Sequence, residues 1–333
     1  MGQINKKILI LRFSSLGDVI MANFSVMKIK KKHPDWEITW LVDSYYGSIV
    51  KPQPWVDEVI EWNRKKDGNT GFLKVLHDVR RRHFDILIDF HNSDRSSFFS
   101  LFSGVPLRYR SRRRFPLTHN RDSFNGLWDP GMTVNACRNY LSPPETSDRI
   151  RGIIGKKTGS RSLSLAIGAS YEKKRWPVSC WTKFCAIAAE AGFVMYLLGD
   201  GEDEINNAKE ISSTLGSQRV VNLVGQLSMP ELIQVINETD ATVSGDTGPV
   251  HIARALGKPL VAMFGPSAVS NRNYVESLGN VFYCSCPKQG CLDFSCSKPC
   301  MEIIPPDKIM NCIYKIFQRG SSGSAGYVSC LNC

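Results

Sequence analysis

The stretch "ATVSGDTGPVHIARALGKPLVAMFGP" (Ala241 to Pro266) decides the fold. An apolar run ends at Asp246-Thr247-Gly248, and Pro249 follows in the first helical turn, where its missing N–H costs nothing. Apolar residues then recur at helical spacing as far as Gly257, a helix stop, before Pro259 and a second apolar run. Strand, helix and strand in this order make a parallel β-α-β unit. A glycine at the mouth of the helix lets a ligand approach the backbone. The unpaired N–H groups and the helix dipole there favour phosphate oxygens. Thr247 and Gly248 are therefore phosphate candidates, and the alternative that Asp246 and Thr247 only cap the helix stays open.

The same alternation extends outward. Upstream lie a strand "SLSLAIG", a helix "VSCWTKFCAIAAEAG", a strand "FVMYLLGD", a helix "EDEINNAKEISSTL", a strand "VVNLVG" and a helix "MPELIQVINET". The first half repeats the pattern with "KILILRF", a helix from Asp18 to Lys32, "WEITWLVD", "VDEVIEW", the helical "FLKVLHDVRRRHF" and "DILIDFH". Between the halves, Leu141 to Arg161 is rich in Pro, Gly, Ser and charge without strong periodicity, and reads as the linker. The expected fold is α/β, with two Rossmann-like doubly wound domains facing a central cleft. Their expected extents are 1–150 and 151–318, with a small, polar, flexible tail at 319–333. "MEIIPPDKIMNCIYKIF" (Met301 to Phe317) reads as a final amphipathic helix behind a Pro-Pro turn.

A chain of 333 residues suits two such domains, and 42% apolar with 22% charged residues suits a folded core. The formal charge of +11 is partly local, because "RYRSRRR" (Arg108 to Arg114) holds five arginines in seven positions. It reads as a solvated loop or as a patch for an anionic substrate or membrane. No nucleic-acid module accompanies it, so no nucleic-acid partner is expected. No apolar stretch reaches the roughly 18 residues of a membrane span. The apolar run after Lys6 and Lys7 is cut off by Arg12, which argues against a secretory signal and for a reducing cytoplasm. The 11 cysteines then read as thiols or metal ligands before disulfides.

Three further loops carry chemistry. "GASYEKKRWP" places Lys173, Lys174 and Arg175 after a small-residue turn, where a cation meets a second phosphate; an exposed basic loop is the plain alternative. "LLGDGEDEINNA" offers a carboxylate for ribose hydroxyls, with Glu204 one choice among Asp200, Glu202 and Asp203, or simply an acidic helix start. "RFSSLGDVI" (Arg12 to Ile20) joins a strand to a helix through small residues. The chain holds no G-x-G-x-x-G, no G-x-x-x-x-G-K-[ST] and no G-x-S-x-G, which disfavours dehydrogenases, P-loop NTPases and serine hydrolases. What remains is a diphosphate-bearing ligand on the second half, facing a different loop of the first.

"ILILRFSSLGDVI", "SYEKKRWP" and "SGDTGPVHIARALGKPLVAMFGPS" together resemble glycosyltransferase family 9, the lipopolysaccharide heptosyltransferases, over about residues 5 to 315. The resemblance implies a GT-B architecture, the acceptor on the N-terminal domain, ADP-heptose on the C-terminal one, and inverting, metal-independent transfer without a cofactor. An inverting transfer needs a base for the acceptor hydroxyl and positive groups for the departing diphosphate. By the resemblance Asp18 is the base and Lys174 binds phosphate, with Ser170 a hydroxyl contact. Thr247, Gly248 and His251 surround the diphosphate, and Asp246 holds the loop or touches the sugar. Glu204 takes the ribose and Leu227 the adenine. His251 also has a plain reading as a capping or packing residue. The diphosphate features all fall in the second half, so the first loop is the acceptor wall: Ser14, Ser15 and Gly17 let backbone approach a sugar, and the helix dipole keeps Asp18 ionised.

The implied acceptor is an anionic glycolipid, a Kdo-lipid A type inner core. Arg108, Arg110 and Arg112 would meet it in peripheral contact with the cytoplasmic face of the inner membrane. Five cysteines from Cys284 to Cys300, at spacings x1, x4, x4 and x3, differ from the C-x2-C pairs of zinc ribbons and read as loop thiols, with no metal expected. A different sugar nucleotide or acceptor, a sugar-nucleotide epimerase and a non-catalytic binder are the alternative functions.

Overall fold

The computed structural model describes residues 5–110, 139–155, 160–215, 219–267, 281–283 and 299–320, with isolated positions between 286 and 297. Two compact units divide the chain, Met1–Ser142 and Pro143–Cys333, and the division falls inside the Pro/Gly/Ser-rich stretch. The expected tail beyond Gly320 lies outside the described residues.

The first unit runs β1 (Lys7–Leu11), α1 (Leu16–Lys32), β2 (Glu37–Asp43), α2 (Ser44–Val50), β3 (Glu58–Trp62), α3 (Arg64–Arg81), β4 (Ile86–Asp89), α4 (Asp94–Phe102) and β5 (Leu107–Arg110). Its sheet is parallel throughout, in the order β3-β2-β1-β4-β5. Helices cover both faces, which is why "KILIL" is continuously apolar instead of alternating. Ile8 and Ile10 pack against Val19, Ala22 and Val26 of α1. Leu9 and Leu11 pack on the other side against Phe72, Leu76 and Val79 of α3 and Phe99 of α4. Each such buried side chain contributes roughly 1.5–3 kcal/mol.

Four elements of this unit differ from the sequence reading. The seven-residue α2 is too short to show a period and starts at Asp43, whose carboxylate accepts from Tyr45 N at 3.0 Å. α4 has apolar residues on both its buried and its exposed face, so no amphipathic pattern marks it. β5 takes up the beginning of the arginine run that reads as a loop; its four side chains are all exposed, and its order comes from main-chain pairing with β4. α3 also starts earlier than its apolar spacing indicates, with a break at Gly68 (φ 51°).

The second unit contains α5 (Asp148–Gly155), β6 (Ser162–Ala166), a 3-10 turn (Glu172–Lys174), α6 (Val178–Glu190), β7 (Val194–Leu198), α7 (Glu202–Leu215), β8 (Val220–Asn222), α8 (Met229–Glu238), β9 (Ala241–Gly245), α9 (Gly248–Ala255), β10 (Leu260–Phe264), β11 (Val281–Tyr283) and α10 (Pro306–Gly320). Its parallel sheet has the order β11-β10-β9-β6-β7-β8. Counted from its own first strand, each sheet begins 3-2-1-4-5, the doubly wound Rossmann order. The linker reading overlooked α5, which tertiary contacts fix: Arg149 pairs with Glu231 at 2.5 Å, and Gln234 donates to the Glu145 carbonyl at 2.6 Å. α9 ends as the sequence indicates, with Gly257 at φ 72° and the Gly257 and Lys258 amides donating to Arg254 and Ala253 carbonyls, a Schellman closure.

Candidate active site

In a doubly wound sheet the strand order reverses beside its first strand, and the loops leaving the carboxyl ends there flank an open crevice. In the first unit those loops follow β1 and β4; in the second they follow β6 and β9. Asp18 lies after β1, Ser170 and Lys174 after β6, and Asp246, Thr247, Gly248 and His251 after β9.

In the first unit, Ser15 is the N-cap of α1, and its amide and hydroxyl both donate to Asp18 Oδ2, at 3.4 and 2.9 Å. Asp18 thus makes capping contacts as well as facing the loop. Its strongest neighbour is the Arg12 guanidinium, which forms an ion pair with the same oxygen. Arg12 is itself held by donating to the Phe90 carbonyl at 2.6 Å. The helix dipole expected to keep Asp18 ionised is therefore joined by a full positive charge. Arg12 was legible as a site residue: a charge closing the apolar run "ILIL" is buried, and a buried charge needs a partner. Ser14 and Gly17 are half-buried and Ser15 is exposed.

Asp89, the last residue of β4, and His91 just beyond it complete this end. Asp89 is buried and accepts from the His91 and Asn92 amides, each at 2.9 Å, and from Ser96 Oγ at 2.7 Å. Burial raises its pKa above the usual carboxylate range, against those hydrogen bonds. The His91 ring lies 4.7 Å from that of Phe13. Its Nδ1 is buried without a hydrogen-bond partner among the described residues. Burial, then the charges of Arg12 and Arg64, push its pKa down to about 4, so the imidazole is neutral. Sequence reading placed His91 at a strand end without giving it a role.

In the second unit, Lys174 Nζ donates to Asp246 Oδ2 at 2.8 Å, with the lysine side chain 13% exposed and the aspartate 3%. The 3-10 turn lies against the ends of β9 and β10, where a Cβ at Gly265 would stand 2.9 Å from the Lys173 carbonyl oxygen. Arg175 serves the loop itself, donating to the Ala169 carbonyl at 2.9 Å and to Asp203 at 2.8 Å. Thr247 is the N-cap of α9, yet its hydroxyl meets Ser244 Oγ at 3.0 Å instead of capping the helix. His251 is buried within α9, and Ser170 is exposed.

Glu204 Oε2 accepts from the Asp200 and Gly201 amides at 2.7 and 3.1 Å, and a Cβ at Gly168 would collide with its carboxylate. The acid therefore sits between the loops that follow β6 and β7. Leu227 is half-buried before α8. A cavity of about 670 Å³ in this unit is lined by Glu172, Lys173, Arg175, Asp203, Cys300 and neighbours, but not by Lys174, Glu204, Thr247 or His251. Of the arginines expected to meet an acceptor, Arg108 donates to the Ser100 and Leu101 carbonyls at the end of α4, while Arg110 donates to Asn92 Oδ1 at 2.5 Å and lies 3.8 Å from Asp89. Arg112 and Cys284 lie outside the described residues, and Cys286, Cys291 and Cys296 are free thiols.

Residues 146–301 match Glycosyltransferase family 9 (heptosyltransferase). Lipopolysaccharide heptosyltransferase 1 of Campylobacter coli is 23% identical over 93% of this chain and 99% of that protein. A glycosyl transferase family 9 crystal structure from Veillonella parvula covers 96% of this chain and 99% of its own, with TM-score 0.80 at 17% identity. The Escherichia coli ADP-heptose lps heptosyltransferase II covers 95% and 99%, with TM-score 0.74 at 20% identity. These likenesses show the fold, two Rossmann-like units of the GT-B type.

Proposed function

We propose that this chain, which belongs to glycosyltransferase family 9, transfers a heptose from ADP-heptose to a Kdo-lipid A type inner-core acceptor, with inversion and without a metal ion. The observation that carries the reading is the pair of opposite charges at the two switch points, an aspartate after β1 and a lysine after β6. Asp18 accepts the proton of the acceptor hydroxyl as that oxygen attacks the anomeric carbon from the face opposite the diphosphate. Arg12 and Ser15 orient the carboxylate. The bond from the anomeric carbon to the diphosphate oxygen breaks, and the charge left on ADP is met by Lys174 and the first amides of α9. Asp246 fixes Lys174 beside that helix, and Thr247, Gly248, His251 and Ser170 complete the diphosphate contacts. Glu204 reads the ribose and Leu227 flanks the adenine.

The relatives' names, which print ADP-heptose and lipopolysaccharide, support this donor and acceptor. A thermal-shift screen with ADP-, UDP-, GDP- and CMP-sugars tests the donor: stabilisation by ADP-heptose alone is expected, and stabilisation by another nucleotide sugar alone overturns it. Incubation with ADP-heptose and Kdo-lipid A in excess chelator should add one heptose by mass. Activity that vanishes with chelator and returns with a divalent cation overturns the metal-independent reading.

A further inference from the structure

α4 (DRSSFFSLF) turns apolar side chains both into the unit and out toward solvent. Ser96 and Phe99 point into the unit, where the Phe99 ring lies 5.4 Å from that of Phe72. The opposite face carries Phe98, Leu101 and Phe102, at relative positions i, i+3 and i+4, exposed by 48%, 63% and 45%. A helix lying on a water-facing surface normally turns polar residues outward, so three large apolar side chains on an outward face call for a second apolar environment. The Phe98 and Phe102 rings lie 4.4 Å apart, and Phe98 reaches to 6.0 Å from Phe72 of α3. The next α3 residue, Leu73, is 58% exposed. Among the described residues, five of the ten exposed large apolar side chains fall between Phe98 and Tyr109, so the exposure is concentrated and not scattered.

Cations rim this face. Arg95 lies one turn before Phe98 on α4, with its guanidinium 5.6 Å from the Trp62 ring centroid. Arg108 is anchored on the Ser100 and Leu101 carbonyls, and Arg80 borders Gly104 just past the helix. Asp94, at the start of the helix, is the acid on the same element. At nine residues α4 is far short of the roughly 20 that span a bilayer, so it lies in the interface instead of crossing it. Apolar side chains ringed by arginines match a bilayer with anionic headgroups, where aromatic and leucine side chains enter the acyl boundary and guanidinium groups meet phosphates.

We infer that the outer face of α4, with Phe98, Leu101 and Phe102 at its centre, docks the first unit onto an anionic bilayer. This rests on the reading that the acceptor is a membrane glycolipid: the surface brings the enzyme to its substrate and sets which unit faces the lipid.

The test is co-sedimentation of the full chain with vesicles of phosphatidylglycerol and phosphatidylethanolamine, containing no acceptor, and with phosphatidylcholine vesicles. Binding to the first, weakened by salt, and little binding to the second are expected. The double variant Leu101→Ser/Phe102→Ser should lose roughly tenfold or more in partitioning with its melting temperature unchanged, since both side chains are already exposed. Leu101→Trp should bind more tightly. Both variants should transfer to an O-deacylated, soluble acceptor at the parent rate, while the double variant fails on acceptor embedded in vesicles. Vesicle binding unaffected by either variant overturns the inference, as does a double variant that instead converts a dimer to a monomer. A parent chain that ignores the soluble acceptor overturns the proposed function and leaves the vesicle measurement to stand by itself.

Discussion

The two units share one strand order and place an ion pair at the same topological position, yet they present opposite charges. After β1 the cation is the deeper partner, with Arg12 8% exposed and Asp18 22%. Where the loops after β6 and β9 meet, the anion is the deeper one, with Lys174 13% exposed and Asp246 3%. In each pair the buried ion neutralises and orients the one that reaches outward. The fold supplies the position, and the choice of which ion is buried sets the charge that reaches outward, negative in the first unit and positive in the second.

The sharpest way to break this comparison is Asp18→Ala. It should lower kcat by roughly 10²–10⁴-fold, the usual worth of a general base, while ADP binds by calorimetry as before. A near-parental rate would remove the base assignment. Lys174→Ala should weaken ADP-heptose binding at least about tenfold and destabilise the second unit by roughly 3 kcal/mol, because the buried Asp246 carboxylate loses the cation 2.8 Å away. Adding Asp246→Asn should recover stability but not binding; recovery of both would make the pair purely structural.

A pH scan probes the first unit. Because the folded pKa of His91 is depressed from 6.5 to about 4, the unfolded chain binds the extra proton across that window. Its contribution is present above pH 6.5 and is lost as pH falls toward 4, on the order of 2 kcal/mol after allowing for partial exposure. His91→Gln should flatten that loss in hydrogen exchange of β1 and β4 amides; an unchanged profile would mean the imidazole titrates normally. The smallest expected effect is that of Arg12→Gln, about a tenfold fall in kcat with KM for ADP-heptose unchanged, since Arg12 acts through Asp18. A rise in that KM instead would move Arg12 to the donor side.

Much of the fold is legible because β-α-β units write their own punctuation. Pro249 and Gly257 bracket α9 in the sequence as they do in the structure. The elements that escape are those whose order comes from elsewhere: α2 is too brief for a period, α4 carries apolar residues on both its inner and outer faces, and β5 is an edge strand held by its neighbour's main chain. The site shows the same division. Ser15 and Asp18 are three residues apart, so their contact follows from local helix geometry.

The sequence by itself determined the alternation of strands and helices, the loops of chemical interest and the family they resemble. Only tertiary structure decided that Lys174 meets Asp246, 72 residues on, that Arg12 is anchored on the Phe90 carbonyl, 78 residues away, and that Glu204 stands against Gly168. The reason is the parallel sheet. Each neighbouring strand returns only after a whole helix, so the loops that share a switch point lie far apart in the chain, and no local pattern records which of them will meet.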